Sequence, residues 1–176
     1  MIYKTGQDIL DEAVRAHARA FDENVPEKER VKLVKLAEHN YNQILELAQK
    51  QEPSVITSLG SLYVELGHWG IGLTLLEYAV LLDPKDHQAL NALGCAYRRA
   101  GKNEKAREYM LKSLNLNPND ARVLCNMAGT YVNEGDPKSV LEWSKKALEA
   151  DPNYLDAMLN AGLAYLELGN YPLGWA

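Results

Sequence analysis

The residues that could carry chemistry in this chain are four histidines, two cysteines and one glycine-rich segment. The histidines do not pair at metal-ligand spacing, and the His-Glu-x-x-His pattern of zinc proteases is absent from the sequence. They are His17, His39, His68 and His87. We therefore expect no metal site, no cofactor and no catalytic residue in these 176 residues, and so no enzyme.

The glycine-rich segment, residues 67–72, reads Gly-His-Trp-Gly-Ile-Gly. A glycine fingerprint for phosphate binding follows a β-strand and opens a helix. The alternating apolar pattern of a strand does not precede this segment, whose flanks have helical periodicity. We interpret the segment as a turn between two helices, with small residues where the helices cross.

Composition narrows the classes of function further. The formal net charge of -5 argues against general binding to nucleic acid or to an anionic membrane surface. The sequence has no apolar run long enough to span a bilayer, and its first ten residues lack the build of a secretion signal. Two cysteines do not make a disulfide framework. We interpret the chain as a soluble cytoplasmic protein.

Sequence elements recur along the chain with a period of 34 residues. These elements must position any functional site. Tyrosines, glycines and prolines recur in one register. The tyrosines are Tyr63, Tyr97, Tyr131 and Tyr165, the glycines are Gly67, Gly101, Gly135 and Gly169, and the prolines are Pro84, Pro118 and Pro152. A fixed period of this size predicts stacked units, none of which buries its apolar face alone.

Each unit opens with one pattern, of which Ile56-x-x-Leu59-Gly60-x-x-Tyr63 is the first copy. The other copies begin at Leu90, Leu124 and Met158. The pattern resembles that of the tetratricopeptide repeat family over residues 53–176. The resemblance implies an all-α fold, a right-handed α-solenoid of stacked antiparallel helix pairs.

The repeats predict a division of the chain. Residues 53–86, 87–120 and 121–154 form three full repeats, and residues 155–176 form a truncated fourth. Each repeat has an opening helix, a glycine turn and a closing helix. The closing helices are expected to start after Asn103 or Asp136, and the next opening helices after Asp86 or Asp120, as caps. Residues 1–52 lack the ladders and predict a divergent helical pair that caps the array.

The fourth repeat ends inside its closing helix, which predicts exposure of Leu159, Leu163 and Tyr165. We expect either the N-terminal piece of a longer polypeptide or a designed truncation. The alternative is that a partner or a second copy of the chain covers this open end. Residues 169–175 resemble the variant found in bacterial and phage arrays that precede glycosyltransferase-like domains. This resemblance implies an alternative function, the substrate-recruiting arm of a longer glycosyltransferase.

In this family the opening helices line a concave groove that binds extended peptides. The resemblance therefore implies a protein or peptide partner and a non-catalytic interaction module. The matching positions in this chain are Thr57, Ser58, Ser61, Asn91, Cys95, Arg98, Arg122, Asn126, Gly129, Asn133, Asp156 and Asn160.

Two of these positions, Asn126 and Asn160, resemble the asparagine ladder of the O-linked N-acetylglucosamine transferase array, which grips peptide backbone. An amide side chain offers a donor and an acceptor together. The earlier rungs hold Ser58 and Ala92, so the ladder is half present. The alternative is that asparagine is simply tolerated on an exposed helix face.

Two charged positions, Arg98 and Arg122, would favour an acidic segment if both face the groove. The alternative is a solvated charged surface. Only Arg122 and Asn126 match the two-carboxylate clamp of chaperone-binding members, so we do not expect chaperone tails as partners. Cys95 and Cys125 fall on neighbouring opening helices, either as two reduced packing residues or as a redox pair.

Overall fold

The structure, a computed structural model, describes residues 6–22, 24–47 and 53–169. Within these ranges all regular secondary structure is α-helical, which confirms the all-α prediction. The helices are α1 (Gly6–Ala20), α2 (Glu27–Leu47), α3 (Pro53–Glu65), α4 (Trp69–Leu82), α5 (His87–Arg99), α6 (Asn103–Leu116), α7 (Ala121–Val132), α8 (Pro137–Ala150) and α9 (Leu155–Glu167). No helix in these ranges is long and apolar enough to cross a membrane.

The 34-residue sequence period is also a structural period. The opening helices α3, α5, α7 and α9 begin at Pro53, His87, Ala121 and Leu155, and the closing helices α4, α6 and α8 follow at the same interval. Each opening helix is followed, two or three residues after its end, by a glycine with a φ between 67° and 81°, where a side chain would be strained. The sequence prediction of these left-handed turns is confirmed.

Aspartates cap three of the helices as the sequence predicts. The carboxylates of Asp86 and Asp120 accept backbone N–H groups at the start of α5 and α7, and Asp136 does so for α8. The prediction for Asn103 is wrong. Lys102 occupies the cap position of α6, and Asn103 is the first helical residue, with a buried side-chain oxygen that has no partner in the described structure.

The chain divides into two compact units, Met1–Pro84 and Lys85–Ala176. In the first unit, α1 pairs with α2 and α3 pairs with α4. The core between α1, α2 and α3 contains Ile9, Ala13, Ala16, Ala37, Tyr41, Val55, Leu59 and Leu62. The predicted boundary between a cap and an array at residues 52 and 53 stays a prediction.

In the second unit α5 pairs with α6, α7 pairs with α8, and α9 packs on α8. Small residues bring the paired helices close together. A Cβ atom on Gly94 of α5 would lie 2.8 Å from Cγ of Met110 and 3.1 Å from the carbonyl oxygen of Ala106. One core of this unit joins Ala128, Val140 and Ala164. The stacked pairs bring their opening helices into contact, as α5 with α7 and α7 with α9.

Candidate functional site

Nine of the predicted groove residues belong to the opening helices of the second unit. Helix α5 carries Asn91, Cys95 and Arg98, helix α7 carries Arg122, Asn126 and Gly129 with Asn133 at its end, and α9 carries Asp156 and Asn160. The contacts described below bring Asn91, Cys95, Arg98, Asn126 and Asn160 together with Cys125 and Gly129. We call this set the opening-helix face of the second unit.

The two ladder asparagines donate to equivalent positions one repeat apart, although the accepting atoms differ. Asn126 donates from Nδ2 to Oδ1 of Asn91 over 3.2 Å, and Asn160 donates from Nδ2 to Sγ of Cys125 over 3.4 Å. Both contacts join residues 35 apart, because each asparagine reaches back to the preceding opening helix. Each amide is therefore held in a fixed orientation on the face.

The two thiols are packing groups on this face. Both cysteines are free, and Sγ of Cys95 lies 3.9 Å from Oδ1 of Asn91. Burial raises the pKa of the Cys95 thiol, against the fields of Arg98, Arg99 and Arg122. Burial, followed by the negative charge of Asp156, raises the pKa of the Cys125 thiol to about 11. Both thiols are protonated at neutral pH, which is the opposite of a poised redox pair.

The guanidinium of Arg98 lies over the backbone of Gly129 on the next opening helix. A Cβ atom on Gly129 would lie 3.2 Å from Nη1 and 3.5 Å from Cζ of Arg98. Nε of Arg98 is buried and has no hydrogen-bond partner among the described residues. The sequence signal for this arrangement was a glycine inside a helix, where glycine costs stability unless a neighbour needs the space.

The other charges near the face are Arg122 and Asp156. The guanidinium of Arg122 is half-exposed and lies 3.5 Å from Oδ2 of Asp120, which also caps α7. Asp156 is exposed at the start of α9. Asn133 is exposed at the end of α7 and makes no hydrogen bond to the described residues of the face.

The remaining predicted residues lie on α3 in the first unit. The hydroxyl groups of Thr57 and Ser58 donate to the carbonyl oxygens of Pro53 and Ser54, four residues back on the same helix. Ser61 is half-buried. Two of the three hydroxyl protons are therefore used within α3, although the oxygens can still accept.

A polar network that sequence reasoning missed joins α1, α2 and α3. Nε2 of His17 lies 2.7 Å from Oε2 of Glu65, and Nδ1 of His17 lies 3.3 Å from the hydroxyl of Tyr41. Burial raises the pKa of the Tyr41 hydroxyl. Nothing in the sequence identified the partners of His17, which lie 24 and 48 residues away.

Within the ranges that the structure describes, no three His, Cys, Asp or Glu side chains are grouped so that they could hold a metal ion. Nδ1 of His87 lies 3.8 Å from Oδ2 of Asp120. Because Asp120 also caps α7 and neighbours Arg122, this contact belongs to the junction of two repeats.

Two segments of the chain match sequence models described as tetratricopeptide repeat, namely residues 87–120 and 121–154. These are the second and third full repeats, with the predicted boundaries. No curated protein matches the chain in sequence.

Several solved structures have a similar fold. A crystal structure of a MamA protein has 21% identity and a TM-score of 0.65, over 90% of this chain and 84% of that one. A chain of the crystal structure of the APC/C hetero-tetramer Cut9-Hcn1 gives 20% identity and a TM-score of 0.74, over 92% of this chain and 30% of that one. YrrB, described as a TPR protein with an unusual peptide-binding site, gives 20% identity and a TM-score of 0.63, over 85% and 83%. This chain therefore has the helical-solenoid fold of tetratricopeptide repeat proteins, and residues 87–120 and 121–154 are two such repeats.

Proposed function

We propose that the chain is a protein-interaction module whose opening-helix face in the second unit binds an extended peptide segment of another protein. The observation that carries this proposal is the repeated contact of Asn126 with Asn91 and of Asn160 with Cys125. Residues that make equal contacts one repeat apart present equal groups at a regular spacing, which suits a ligand that itself repeats, such as an extended backbone.

Each ladder asparagine has a group left for a ligand. The Nδ2 atoms of Asn126 and Asn160 donate to the preceding helix, and their Oδ1 atoms have no partner among the described residues. An Oδ1 atom can accept the N–H of a peptide bond. Because the amides are already oriented, binding costs less side-chain entropy than it would with free asparagines.

The fold comparisons support this proposal. YrrB is described as a TPR protein with an unusual peptide-binding site, the Cut9-Hcn1 structure is a hetero-tetramer, and the Naa15/Naa10 structure is bound to HypK-THB. The identities to these proteins are 16% to 20%, so the fold is what they share with this chain.

Selection from a random peptide display library on the whole chain tests the proposal. We expect selected peptides to bind the native chain and to lose affinity for the double variant Asn126→Ala and Asn160→Ala. The matched control is Lys112→Ala with Lys146→Ala, on closing helices, where each lysine pairs with a glutamate one turn away and lies over an aromatic ring of its own helix. Equal binding to both double variants would place the site elsewhere.

A second candidate function, self-association, is favoured by the exposed apolar face of α9. Leu159 is 62% exposed, whereas the equivalent residues Asn91 and Cys125 are each 6% exposed. Leu155, Met158, Leu163 and Leu166 are exposed on the same helix. We propose that a second copy of the chain covers this face. Light scattering over a range of concentrations tests it: association that Leu159→Glu abolishes supports the proposal, and a strict monomer contradicts it.

The alternative of a substrate-recruiting arm in a longer glycosyltransferase depends on residues 169–175. Of these, Gly169 alone is within the described residues, and it forms the same left-handed turn as the other repeat glycines. This function stays a prediction from the sequence. A doubly wound α/β pattern encoded downstream of Ala176 would support it, and a stop codon there would remove it.

A further inference from the structure

We propose that the outer face of α2 binds an acidic amphipathic helix of a partner protein. The binding residues are Lys28, Lys32, Lys35 and His39, which we call the lysine stripe of α2. The stripe lies in the first unit, whereas the opening-helix face belongs to the second. It is therefore a further interaction site, and it does not depend on the peptide-binding proposal.

The stripe occupies one side of α2. Its members follow one another at steps of four, three and four residues, and residues so spaced are neighbours on a helix surface. All four side chains are exposed. The opposite side of the helix carries Ala37 and Tyr41, which are buried in the core with α1 and α3. The stripe is thus the side of α2 that faces water.

The lysines of the stripe make no ion pair with the residues that the structure describes. Two acids of the same helix are engaged elsewhere: Glu29 accepts a hydrogen bond from Arg19 over 2.6 Å, and Glu38 accepts one from the hydroxyl of Tyr63. Like charges three and four residues apart repel one another and weaken a helix. A partner that brings carboxylates to the stripe would remove this repulsion.

Lysines on the closing helices of the second unit show the contrast. Nζ of Lys112 lies 2.6 Å from Oε1 of Glu108, four residues earlier on α6, and Lys146 pairs with Glu142 in the same way on α8. Such pairs stabilise their own helix. No acid stands four residues before or after a lysine of the stripe. The charge of the stripe is therefore available to another molecule.

The spacing of the stripe fits a helical partner. A helix rises 1.5 Å per residue, so the charges stand about 4.5 to 6 Å apart along α2. Carboxylates at steps of three and four residues on a partner helix have the same spacing, and all the pairs can form together. Val31 and Leu36 are exposed on the two sides of the stripe. They can contact apolar residues that flank the acids of an amphipathic helix.

An anionic membrane fits this face less well than a helix does. A helix that binds a bilayer buries its apolar side among the headgroups, but the apolar side of α2 already lies in the core of the first unit. A bilayer also presents negative charge to the whole protein, whose formal net charge is -5. A single helix stays within about 8 Å of the stripe, where the local positive charge acts.

Selection on the whole chain from a library that displays a stable helix with a randomised exposed face tests the proposal. We expect the selected helices to carry aspartate or glutamate at steps of three and four residues. The triple variant Lys28→Gln, Lys32→Gln and Lys35→Gln should weaken them by about tenfold, the combined effect of three exposed ion pairs. Raising the salt concentration should weaken binding to the native chain, because exposed charges are screened.

The matched control is the triple variant Lys105→Gln, Lys112→Gln and Lys146→Gln on closing helices α6 and α8, which changes the net charge equally. It should leave the affinity unchanged, and both triple variants should keep the native helicity by circular dichroism. Selected helices that lack a stripe of acids, or that bind both triple variants equally, would overturn the proposal. Failure to select any helix would overturn it as well.

Two further measurements separate other occupants of the face. Sedimentation with phosphatidylserine vesicles that the stripe variant abolishes would assign the face to a membrane instead. Light scattering that shows association abolished by the stripe variant would assign it to a second copy of the chain. The double variant Asn126→Ala and Asn160→Ala should bind the selected helices as the native chain does. The failure of this proposal and that of the peptide-binding function are therefore distinguishable.

Discussion

Asn126 is tied to Asn91 on the preceding opening helix by a hydrogen bond of 3.2 Å from its Nδ2 to the side-chain oxygen. Asn91 is buried, and its oxygen also lies 3.9 Å from Sγ of Cys95. The contact therefore joins two repeats through groups that are largely removed from water.

Replacing Asn126 by alanine should lower the free energy of unfolding by about 1 to 2 kcal/mol, because the buried oxygen of Asn91 loses its main donor. Urea unfolding followed by circular dichroism measures this change. Asn133→Ala, at an exposed position at the end of the same helix, is the control and should stay within about 0.5 kcal/mol of the native chain. Equal effects at the two positions would contradict the structural role of the contact.

Gly94 and Gly162 occupy equivalent places in α5 and α9, but their surroundings differ. A Cβ atom on Gly94 would lie 3.1 Å from the carbonyl oxygen of Ala106, whereas one on Gly162 would meet nothing within 4 Å. Gly94→Ala should therefore destabilise the chain by about 1 to 3 kcal/mol through overpacking. Gly162→Ala should stabilise it by up to about 1 kcal/mol through helix propensity. Thermal or urea unfolding of the two variants measures these changes in stability. A change of the same sign in both variants would contradict the prediction.

Cys125 should resist alkylation at neutral pH, because burial, followed by the field of Asp156, raises its pKa to about 11. In a Cys95→Ala background, the rate of reaction with iodoacetamide should rise with pH up to that value. Asp156→Asn should lower the pKa and speed the reaction, and the urea-unfolded chain should react at the rate of an ordinary thiol. Rapid modification of the folded chain near pH 7 would refute the assignment.

Asp136 should make the stability of α8 depend on pH at the acidic end. A hydrogen bond from the Ser139 hydroxyl, followed by one from its backbone N–H, lowers the pKa of Asp136 below its ordinary value of 3.8. The stabilisation is present above that value and is lost as the pH falls through the lower, folded pKa.

The test of this pH dependence is Asp136→Asn, which keeps a capping side chain and removes the charge. The native chain should have the higher melting temperature near neutral pH, and the difference should vanish in acid. Ser139→Ala removes the larger cause of the shift and should move the transition towards the ordinary aspartate range. A difference that persists unchanged in acid would exclude the charge as its source.

Much of the fold could be predicted because the residues that determine the turns and helix starts of each repeat act on nearby backbone. The glycines at left-handed turns, and Asp86, Asp120 and Asp136 at helix starts, act within a few residues of their own positions. Asn103 shows the limit: one residue separates a cap from a first helical position, and the spacing alone did not resolve it.

The site was less predictable, because its groups act over distances that the period does not encode. The positions of Asn126 and Asn160 were visible, but their partners lie 35 residues back and one residue out of register with the ladder. The seat of Arg98 on Gly129 depends on the approach of two helices and on a conformation of a long side chain. Neither follows from residue types alone.

The asparagine contact with the preceding opening helix recurs in successive repeats. One repeat can therefore take the place of the next. If residues 121–154 were excised, Asn160 would take the place of Asn126 and would find the side-chain oxygen of Asn91 where it now finds the sulfur of Cys125. The deletion would join residue 120 to residue 155. The new junction would have the same position within a repeat as the old one, since α7 and α9 begin one period apart. The chain can therefore gain or lose whole repeats during evolution while successive opening helices keep the same kind of contact.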